Sequence, residues 1–209
     1  MLMEQPAQPT KRSAGRPRAF DRDQALNIAL DLFWRHGFDG TSIPKLTAAM
    51  GISPPSLYAA FGSKDSLYRE VIKLYLSRYS GFMNHLFDEK ISARDAVERA
   101  LLAAAKQFSQ AEHAPGCMIS SAELQASPGN KEMAAEISKL RLAAQHILFT
   151  RLEAARMTGE LPRAADTASL AAFYAMVSQG MSVQARDGAK AAVLKRLAKL
   201  AMQAWPHSD

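Results

Sequence analysis

The chain of 209 residues is poor in the residues that build covalent or metal-bound frameworks. Its single cysteine, Cys117, excludes an intramolecular disulfide and any zinc site made of clustered thiolates. Its five histidines do not occur at ligand spacing, so we expect no bound metal and no cofactor. A reducing cytoplasm is the location that fits this cysteine usage best.

Long apolar runs and catalytic motifs are also missing. No apolar run approaches the roughly 20 residues of a membrane span, and the first residues lack the apolar core of a secretion signal. There is no Gly-rich phosphate loop and no Gly-x-Ser-x-Gly elbow. The strongest enzymatic alternative pairs Cys117 with His113, but Pro115 and Gly116 between them make their geometry arbitrary. We therefore expect a soluble protein that is neither an enzyme nor a membrane partner.

Positive charge is concentrated towards the N-terminus. Residues 1–80 hold 11 Lys and Arg against 7 Asp and Glu, a balance of +4, whereas residues 81–209 hold 15 against 13, a balance of +2. Residues 1–19 are polar and contain three prolines, so we predict a flexible basic arm there. Such an arm is attracted to phosphate, and nucleic acid and anionic lipid both remain candidates at this point.

The spacing of apolar residues is helical throughout and predicts an all-α protein of nine helices. The first four are predicted at 21–36, in two turns before Gly51, from Pro54, and from a cap at Ser63 towards Phe87; the others at about 92–112, 117–126, 130–158, 166–186 and 189–204. Ser53 can cap the third helix, and Pro54 and Pro55 suit a first turn whose amides have no intrahelical partner. Two helices joined by a short turn at Gly51 form a helix-turn-helix pattern.

The residues from Phe20 to about residue 75 resemble the DNA-binding domain of TetR-family transcriptional regulators. The features that carry the resemblance are a first helix ended by Gly37, Thr41-Ser42 before the second helix, the Gly-Ile-Ser turn at 51–53, Leu-Tyr-x-x-Phe at 57–61 and Ser-Lys at 63–64. The resemblance implies a helix-turn-helix domain at 20–66 and a helical effector-binding and dimerisation domain at 67–209. It also implies a homodimeric repressor that a small effector releases from a palindromic operator.

The resemblance suggests DNA-contacting positions within this domain. Tyr58 and Lys64 stand where family members contact phosphates, and Thr41 stands at the phosphate-facing start of the second helix. The base-facing surface comprises Ser53, Pro54, Pro55 and Ser56. Because Leu57 and Phe61 supply an i, i+4 apolar face, Tyr58 is predicted to point outwards, although an aromatic at helical spacing is usually core. With Ala59 and Ala60 replacing larger residues, thymine methyl groups and DNA shape are expected to carry more of the sequence readout.

The arm contains Gly15-Arg16-Pro17-Arg18, which resembles the core of an AT-hook. In that motif an extended backbone flanked by arginines lies in a narrow minor groove. Arg16 and Arg18 are therefore candidate DNA contacts. The alternative is a solvated tail with no role in binding.

In the C-terminal part, the apolar residues predict a ligand pocket and a dimer interface. The candidate pocket residues are Leu86, Phe108, Cys117, Met118, Phe149, Phe173 and Met176. The candidate interface residues, from apolar stripes on the last two helices, are Leu170, Tyr174, Val177, Met181, Val193, Leu197 and Leu200. The scarcity of charged pairs in these helices favours a small apolar or aromatic effector.

Two alternatives to a ligand-released repressor remain open from the sequence. Cys117 at a helix start could act as a thiol sensor of oxidants or electrophiles, although a lone cysteine is more often a small buried residue. The chain could instead be a helical interaction module without a ligand response, which would bind its partners without a DNA duplex.

Overall fold

Three short helices at the N-terminal end each begin at a side-chain cap. The computed structural model describes residues 21–121 and 130–206. The helices are α1 at Arg22–His36, α2 at Ile43–Met50 and α3 at Pro54–Phe61. Asp21, Ser42 and Ser53 accept hydrogen bonds from first-turn amides, which have no partner within the helix. The helix starts predicted from these polar residues are therefore found in the structure.

The turn between α2 and α3 depends on the conformational freedom of Gly51. Its φ is +67°, in the left-handed region that side chains disfavour. The next amide, of Ile52, donates to the carbonyl of Thr47 at 3.1 Å and closes the end of α2. The chain therefore reverses within three residues and reaches the cap of α3 without strain.

Helix α4 spans Lys64–Tyr79, and a 3-10 helix follows at Gly81–Phe87. The prediction of one helix continuing to Phe87 is wrong. The hydroxyl of Ser80 donates to the carbonyl of Leu76, and such a local bond competes with the helical backbone pattern. Gly81 then costs little to place in another conformation, so the apolar stripe bends towards the C-terminal helices.

The remaining helices form the C-terminal part of the fold. They are α5 at Ala93–Phe108, α6 at Met118–Ser121, α7 at Lys131–Thr158, α8 at Thr167–Arg186 and α9 at Ala191–Ala201, with a second 3-10 helix at Met202–Ala204. Residues 21–121 and 130–206 thus form nine α-helices and no strand, which confirms the all-α prediction. The helix predicted over 92–112 is shorter because the Ser109 hydroxyl donates to the carbonyl of Ala105 and ends it. Part of the helix predicted over 117–126 lies outside the described residues.

Helix α5 is the centre of the C-terminal core. Its buried side is mostly alanine, and it packs against α8, α9 and the first 3-10 helix. Small side chains let neighbouring backbones approach closely, which favours a dense interior. None of the described helices combines the length and apolarity needed to cross a membrane.

Helix α4 contacts both parts of the molecule. It packs against α1 and α3, and its Arg69 forms an ion pair with Glu136 of α7 at 2.6 Å. The Arg69 guanidinium lowers the pKa of the Glu136 carboxyl from its usual value. A domain boundary at residue 66 stays a prediction, because α4 packs against the helices on both sides of it.

Candidate DNA-binding surface and internal cavity

The outer side of α3 is a short, mostly apolar surface. Leu57 and Phe61 are buried against the N-terminal core, which turns the opposite side of the helix to solvent. Pro54, Pro55 and Ala59 are exposed there. Tyr58 is 47% exposed, so its phenol points outwards as the i, i+4 spacing predicts. Solvent-facing residues of this kind are available to a groove of DNA.

Ser53 and Ser56 satisfy each other at the start of α3. Their hydroxyl oxygens lie 2.9 Å apart, and the Ser56 amide donates to the Ser53 oxygen at 3.3 Å. Between Thr41 and Ser63 the chain contains no Asp, Glu, Asn, Gln or Arg. The side chains that read base edges through paired hydrogen bonds are therefore missing from α2 and α3.

Thr41 does not present its side chain to DNA. It is fully buried, and its hydroxyl donates to the carbonyl of Gly37 at 2.8 Å. A buried hydroxyl that is already bonded cannot also reach a phosphate. The prediction of a side-chain phosphate contact at Thr41 is therefore wrong, and Thr41 instead stabilises the end of α1.

Lys64 has a local partner that the sequence did not reveal. Its ammonium nitrogen lies 4.1 Å from the centre of the Phe38 ring, in the geometry of a cation–π interaction. This contact gives the lysine a structural reason for its place at the start of α4. The side chain is only half-buried, so its charge still faces the outer surface beside α3.

Sequence reasoning missed one cation on this surface. Lys45 lies in the first turn of α2, is half-buried, and is the one charged residue between Thr41 and Ser63. Its isolation among apolar residues was a signal available in the sequence. Arg16 and Arg18 of the predicted arm lie outside the described residues.

A cavity of about 350 Å³ lies inside the C-terminal part. Its wall is formed by α4, the first 3-10 helix, α5, α6, α7 and α8, and it is mainly apolar. Arg141 of α7 is the charged residue in the described wall, and no carboxylate lines it there. The volume is at the lower end of the range of small-molecule sites.

Two buried tyrosines add polar atoms to this wall. Tyr75 donates its phenol hydrogen to the Cys117 sulfur at 3.3 Å and accepts the Met118 amide at 3.2 Å. Burial raises the pKa of Tyr75 well above its usual value, and burial raises the pKa of Tyr174 to about 12. Both phenols are therefore neutral near pH 7. The Tyr174 hydroxyl has no hydrogen-bond partner within the described part of the chain.

The structure places two of the seven predicted pocket residues, Leu86 and Cys117, in the wall. The assignment of the other five, Phe108, Met118, Phe149, Phe173 and Met176, is wrong. Phe108 packs edge-on against Phe82, and Met118 is buried beside it in the core. Met176 is 60% exposed on the outer side of α8. Helical periodicity identifies apolar positions but does not tell which of them face a void.

The predicted dimer residues divide in the same way. Tyr174 and Met181 are buried within the chain, so they are not available to a partner, and this part of the prediction is wrong. Leu197 and Leu200 of α9 are exposed, and Leu170, Val177 and Val193 are partly exposed. On α8 the exposed side also includes Met176 and Val183. The outer sides of α8 and α9 are thus more apolar than ordinary solvated helices.

Metal ligands do not gather anywhere in residues 21–121 and 130–206. No group of three or more His, Cys, Asp or Glu side chains there could hold an ion. The one buried thiol in these ranges, Cys117, has the phenol of Tyr75 as its hydrogen-bond donor.

Sequence comparison identifies the class of protein that has this helix arrangement. Residues 25–71 match the family described as bacterial regulatory proteins, tetR family. The chain is 34% identical over 197 residues to the HTH-type transcriptional repressor ComR of Escherichia coli K12, which covers 94% of both chains. It is 37% identical to the repressor BdcR of the same organism over 52% of this chain and 55% of that protein. The chain belongs to the TetR family of transcriptional regulators.

Solved structures agree with this assignment. A cysteine mutant of the TetR-family regulator CifR, complexed with 26 bp double-stranded operator DNA, is 39% identical, with a TM-score of 0.85 over 91% of this chain and 100% of that chain. A TetR regulator from Chloroflexus aurantiacus is 18% identical with a TM-score of 0.75, a likeness of fold alone. The protein is therefore a DNA-binding transcriptional regulator with an N-terminal helix-turn-helix.

Proposed function

We propose that this protein is a homodimeric repressor that binds a palindromic operator and leaves it when a small effector enters the cavity. The observation that supports this most strongly is the outward-facing α3 on a fold shared with CifR, whose structure contains operator DNA. A cavity on the far side of α4 from α3 supplies a place for the effector. Such a protein acts in the cytoplasm, where bacterial DNA is found.

Phosphate contacts position the protein, and contacts to base edges select the sequence. Tyr58 and Lys64 are our candidates for phosphate contacts, together with Lys45. Ser53, Pro54, Pro55 and Ser56 are the candidates for the base-facing surface, with Ala59 beside them. Because these side chains are short or apolar, we infer that thymine methyl groups and groove shape account for most of the sequence preference.

Dimerisation through α8 and α9 would place two α3 helices on one face of the duplex. The exposed apolar residues Leu197, Leu200 and Met176 favour burial against a second copy. A symmetric dimer of this kind reads half-sites about 34–36 Å apart, one turn of DNA. The palindromic operator follows from that symmetry.

The wall of the cavity restricts the chemistry of the effector. Apolar residues and Arg141, without a carboxylate in the described wall, favour an apolar or aromatic molecule that is neutral or carries a negative group. A cation would lose its hydration without gaining a counter-charge. The effector shifts the protein away from DNA only if it binds the released conformation more tightly than the DNA-bound one.

The test is selection of bound fragments from a random pool of DNA at low salt, followed by sequencing. We expect enrichment of one palindrome whose half-sites lie one helical turn apart. Enrichment of a motif without two-fold symmetry would contradict the dimer. Failure to enrich any motif would contradict sequence-specific binding by this chain, and binding that needs no duplex would favour an interaction module instead.

A second candidate mechanism uses Cys117 as the sensor. The observation in its favour is that the thiol lines the cavity and receives the Tyr75 hydrogen bond at 3.3 Å, so a molecule in the cavity meets the sulfur directly. An electrophile would form a bond from carbon to sulfur while the thiol proton passes to solvent. The Cys117→Ser variant should then stay on the operator when the electrophile is added, whereas the wild type leaves it. Release of both proteins alike would exclude this mechanism.

A further inference from the structure

Arg186, in the last turn of α8, contacts the end of α1. Its guanidinium donates to the carbonyl oxygens of Trp34 and Arg35, each at 3.2 Å. These carbonyls belong to the last turn of α1 and have no amide partner within that helix. A cation there also complements the negative end of the helix dipole. Arg186 therefore caps a helix of the DNA-binding unit from the C-terminal part of the fold.

The same guanidinium contacts the segment that forms one wall of the cavity. It donates to the Ser121 hydroxyl at 3.2 Å, and Ser121 ends α6. Ile119 and Ser120 of this short helix, and Cys117 before it, line the cavity. One side chain thus bonds both the end of α1 and the wall, which we define as residues 116–121.

The wall packs tightly on α8 one turn before Arg186. The Cys117 amide donates to the Ser182 hydroxyl at 2.7 Å. Gly116 has a φ of +77°, and a side chain there would meet the Ser182 carbonyl at 2.6 Å and the Arg186 side chain at 2.9 Å. Because this contact has no spare volume, the wall cannot move away from the cavity without disturbing the position of Arg186.

We propose that Arg186 is the positioning residue that holds α1 in its DNA-binding position as long as the wall is closed. Displacement of the wall releases the Trp34 and Arg35 carbonyls, and the helix-turn-helix unit then loses its alignment with the operator. This inference rests on the proposed function, in which cavity occupancy and DNA binding oppose each other. It adds the residue through which the two are coupled.

A second connection between the two parts serves as a comparison. The Arg69–Glu136 pair joins α4 to α7, but both side chains are more than a third exposed, and ion pairs of this kind contribute little. Arg69 also bonds carboxylates on flexible side chains, whereas the acceptors of Arg186 on α1 are backbone atoms of a helix. The Arg186 contact is therefore the more rigid of the two.

The experiment measures how operator DNA changes the reactivity of Cys117. This residue is the single cysteine and is 6% exposed, so iodoacetamide reaches its sulfur only when the wall opens. Coupling is reciprocal, so if wall opening weakens DNA binding, bound operator must oppose wall opening. We expect the selected operator to slow alkylation of the wild type by about fivefold or more. In Arg186→Met, we expect slowing of less than about twofold and operator binding weakened by about tenfold.

Arg156→Met is the matched control, because Arg156 pairs with Glu153 within the C-terminal part and touches neither α1 nor the wall. It should show the wild-type slowing. Alkylation is measured in low urea, where a rate independent of urea identifies local opening. If Arg186→Met does not fold, Arg186→Lys decides, because lysine retains the charge but lacks the planar fork that reaches both carbonyls.

Three results would overturn the inference: equal slowing in wild type and Arg186 variant, no slowing in the wild type, or unchanged operator affinity in the variant. Each is distinguishable from failure of the proposed function. If the wild type binds a selected operator and the Arg186 variants behave like it, DNA-binding function stands and only the role of Arg186 fails. If the wild type binds no operator, both fail together.

Discussion

The helix-turn-helix unit and the C-terminal helices use their surfaces in opposite ways. The N-terminal unit has a filled core, with Leu46, Leu57 and Leu67 fully buried, and its candidate binding residues lie outside on α3. The C-terminal part has its candidate binding surface inside, around a cavity of about 350 Å³. One region presents a shape to DNA, and the other holds a space for a molecule.

This difference explains where each region is rigid. Capped helix ends, the bidentate Arg22–Glu70 pair at 2.8 Å and close aromatic packing hold the N-terminal unit in one arrangement. The cavity leaves side chains around it without contacts on one side, which reduces the dispersion energy that would hold them in place. A reader of DNA gains from the first arrangement, and a sensor gains from the second.

The largest expected effect comes from truncating a leucine in each region. Leu57→Ala removes a fully buried side chain from a closed core and should lower the free energy of unfolding by about 3–5 kcal/mol. Leu101→Ala, on the cavity wall, should cost about 2 kcal/mol, because that side chain already faces a void. Urea unfolding at one protein concentration measures both. Equal losses would contradict the comparison between a filled core and an open one.

The next effect concerns the basic arm. Replacing Arg16 and Arg18 with Ala should weaken operator binding by about tenfold and flatten the salt dependence by up to about 1.8, because each neutralised phosphate contributes about 0.9 to the slope. Binding titrations at several salt concentrations measure it. The matched control replaces Lys11 and Arg12 with Ala, which removes the same charge outside the Arg-Pro-Arg motif. An unchanged slope in the Arg16 and Arg18 variant would remove the arm from the mechanism.

A smaller effect tests what the apolar α3 reads. Replacing a contacted thymine with uracil in the selected operator removes one methyl group and should weaken binding about fourfold, since burying such a group contributes about 0.8 kcal/mol. Fluorescence anisotropy on operators substituted one position at a time measures it. The same substitutions outside the half-sites are the control. If no thymine in the half-sites matters, sequence preference depends on shape and on the remaining polar groups instead.

The smallest effect is a pH dependence within the C-terminal part. Arg156 and then Thr167 bond the Glu153 carboxylate and lower its pKa from 4.5 to about 2. A pKa lowered by folding stabilises the fold above about pH 4.5, and this contribution is lost as the pH falls towards 2. The stability difference between wild type and Glu153→Gln should therefore be constant near neutral pH and shrink over that range. Urea unfolding from pH 6 to 2 measures it, and Glu89→Gln, at an exposed position, should show no such change.

Prediction from sequence succeeded where local chemistry decides the outcome. Asp21, Ser42 and Ser53 cap the first three helices, and the outward direction of Tyr58 follows from the burial of Leu57 and Phe61. These features depend on neighbours within four residues along the chain. The inward turn of Thr41 was missed because its hydroxyl bonds the carbonyl of Gly37 within a turn that capping rules do not describe.

Prediction failed where distant segments meet. Tyr174 has the same apolar spacing as an interface residue, yet it lines the cavity, and Met176 two positions later is exposed. Arg186 carries no signal in its own neighbourhood, because its partners Trp34 and Arg35 are more than 150 residues away. Periodicity gives the apolar side of a helix but not the neighbour that covers it.

The sequence by itself determined the family, the all-α class and the surface of α3, because caps, glycines and i, i+4 spacing act over one or two turns. Only the tertiary structure decided which apolar side chains enclose the cavity and which single arginine joins its wall to α1. Those outcomes depend on how α4 to α8 pack against one another, and packing is decided by shape over the whole core and not by the pattern of any one helix.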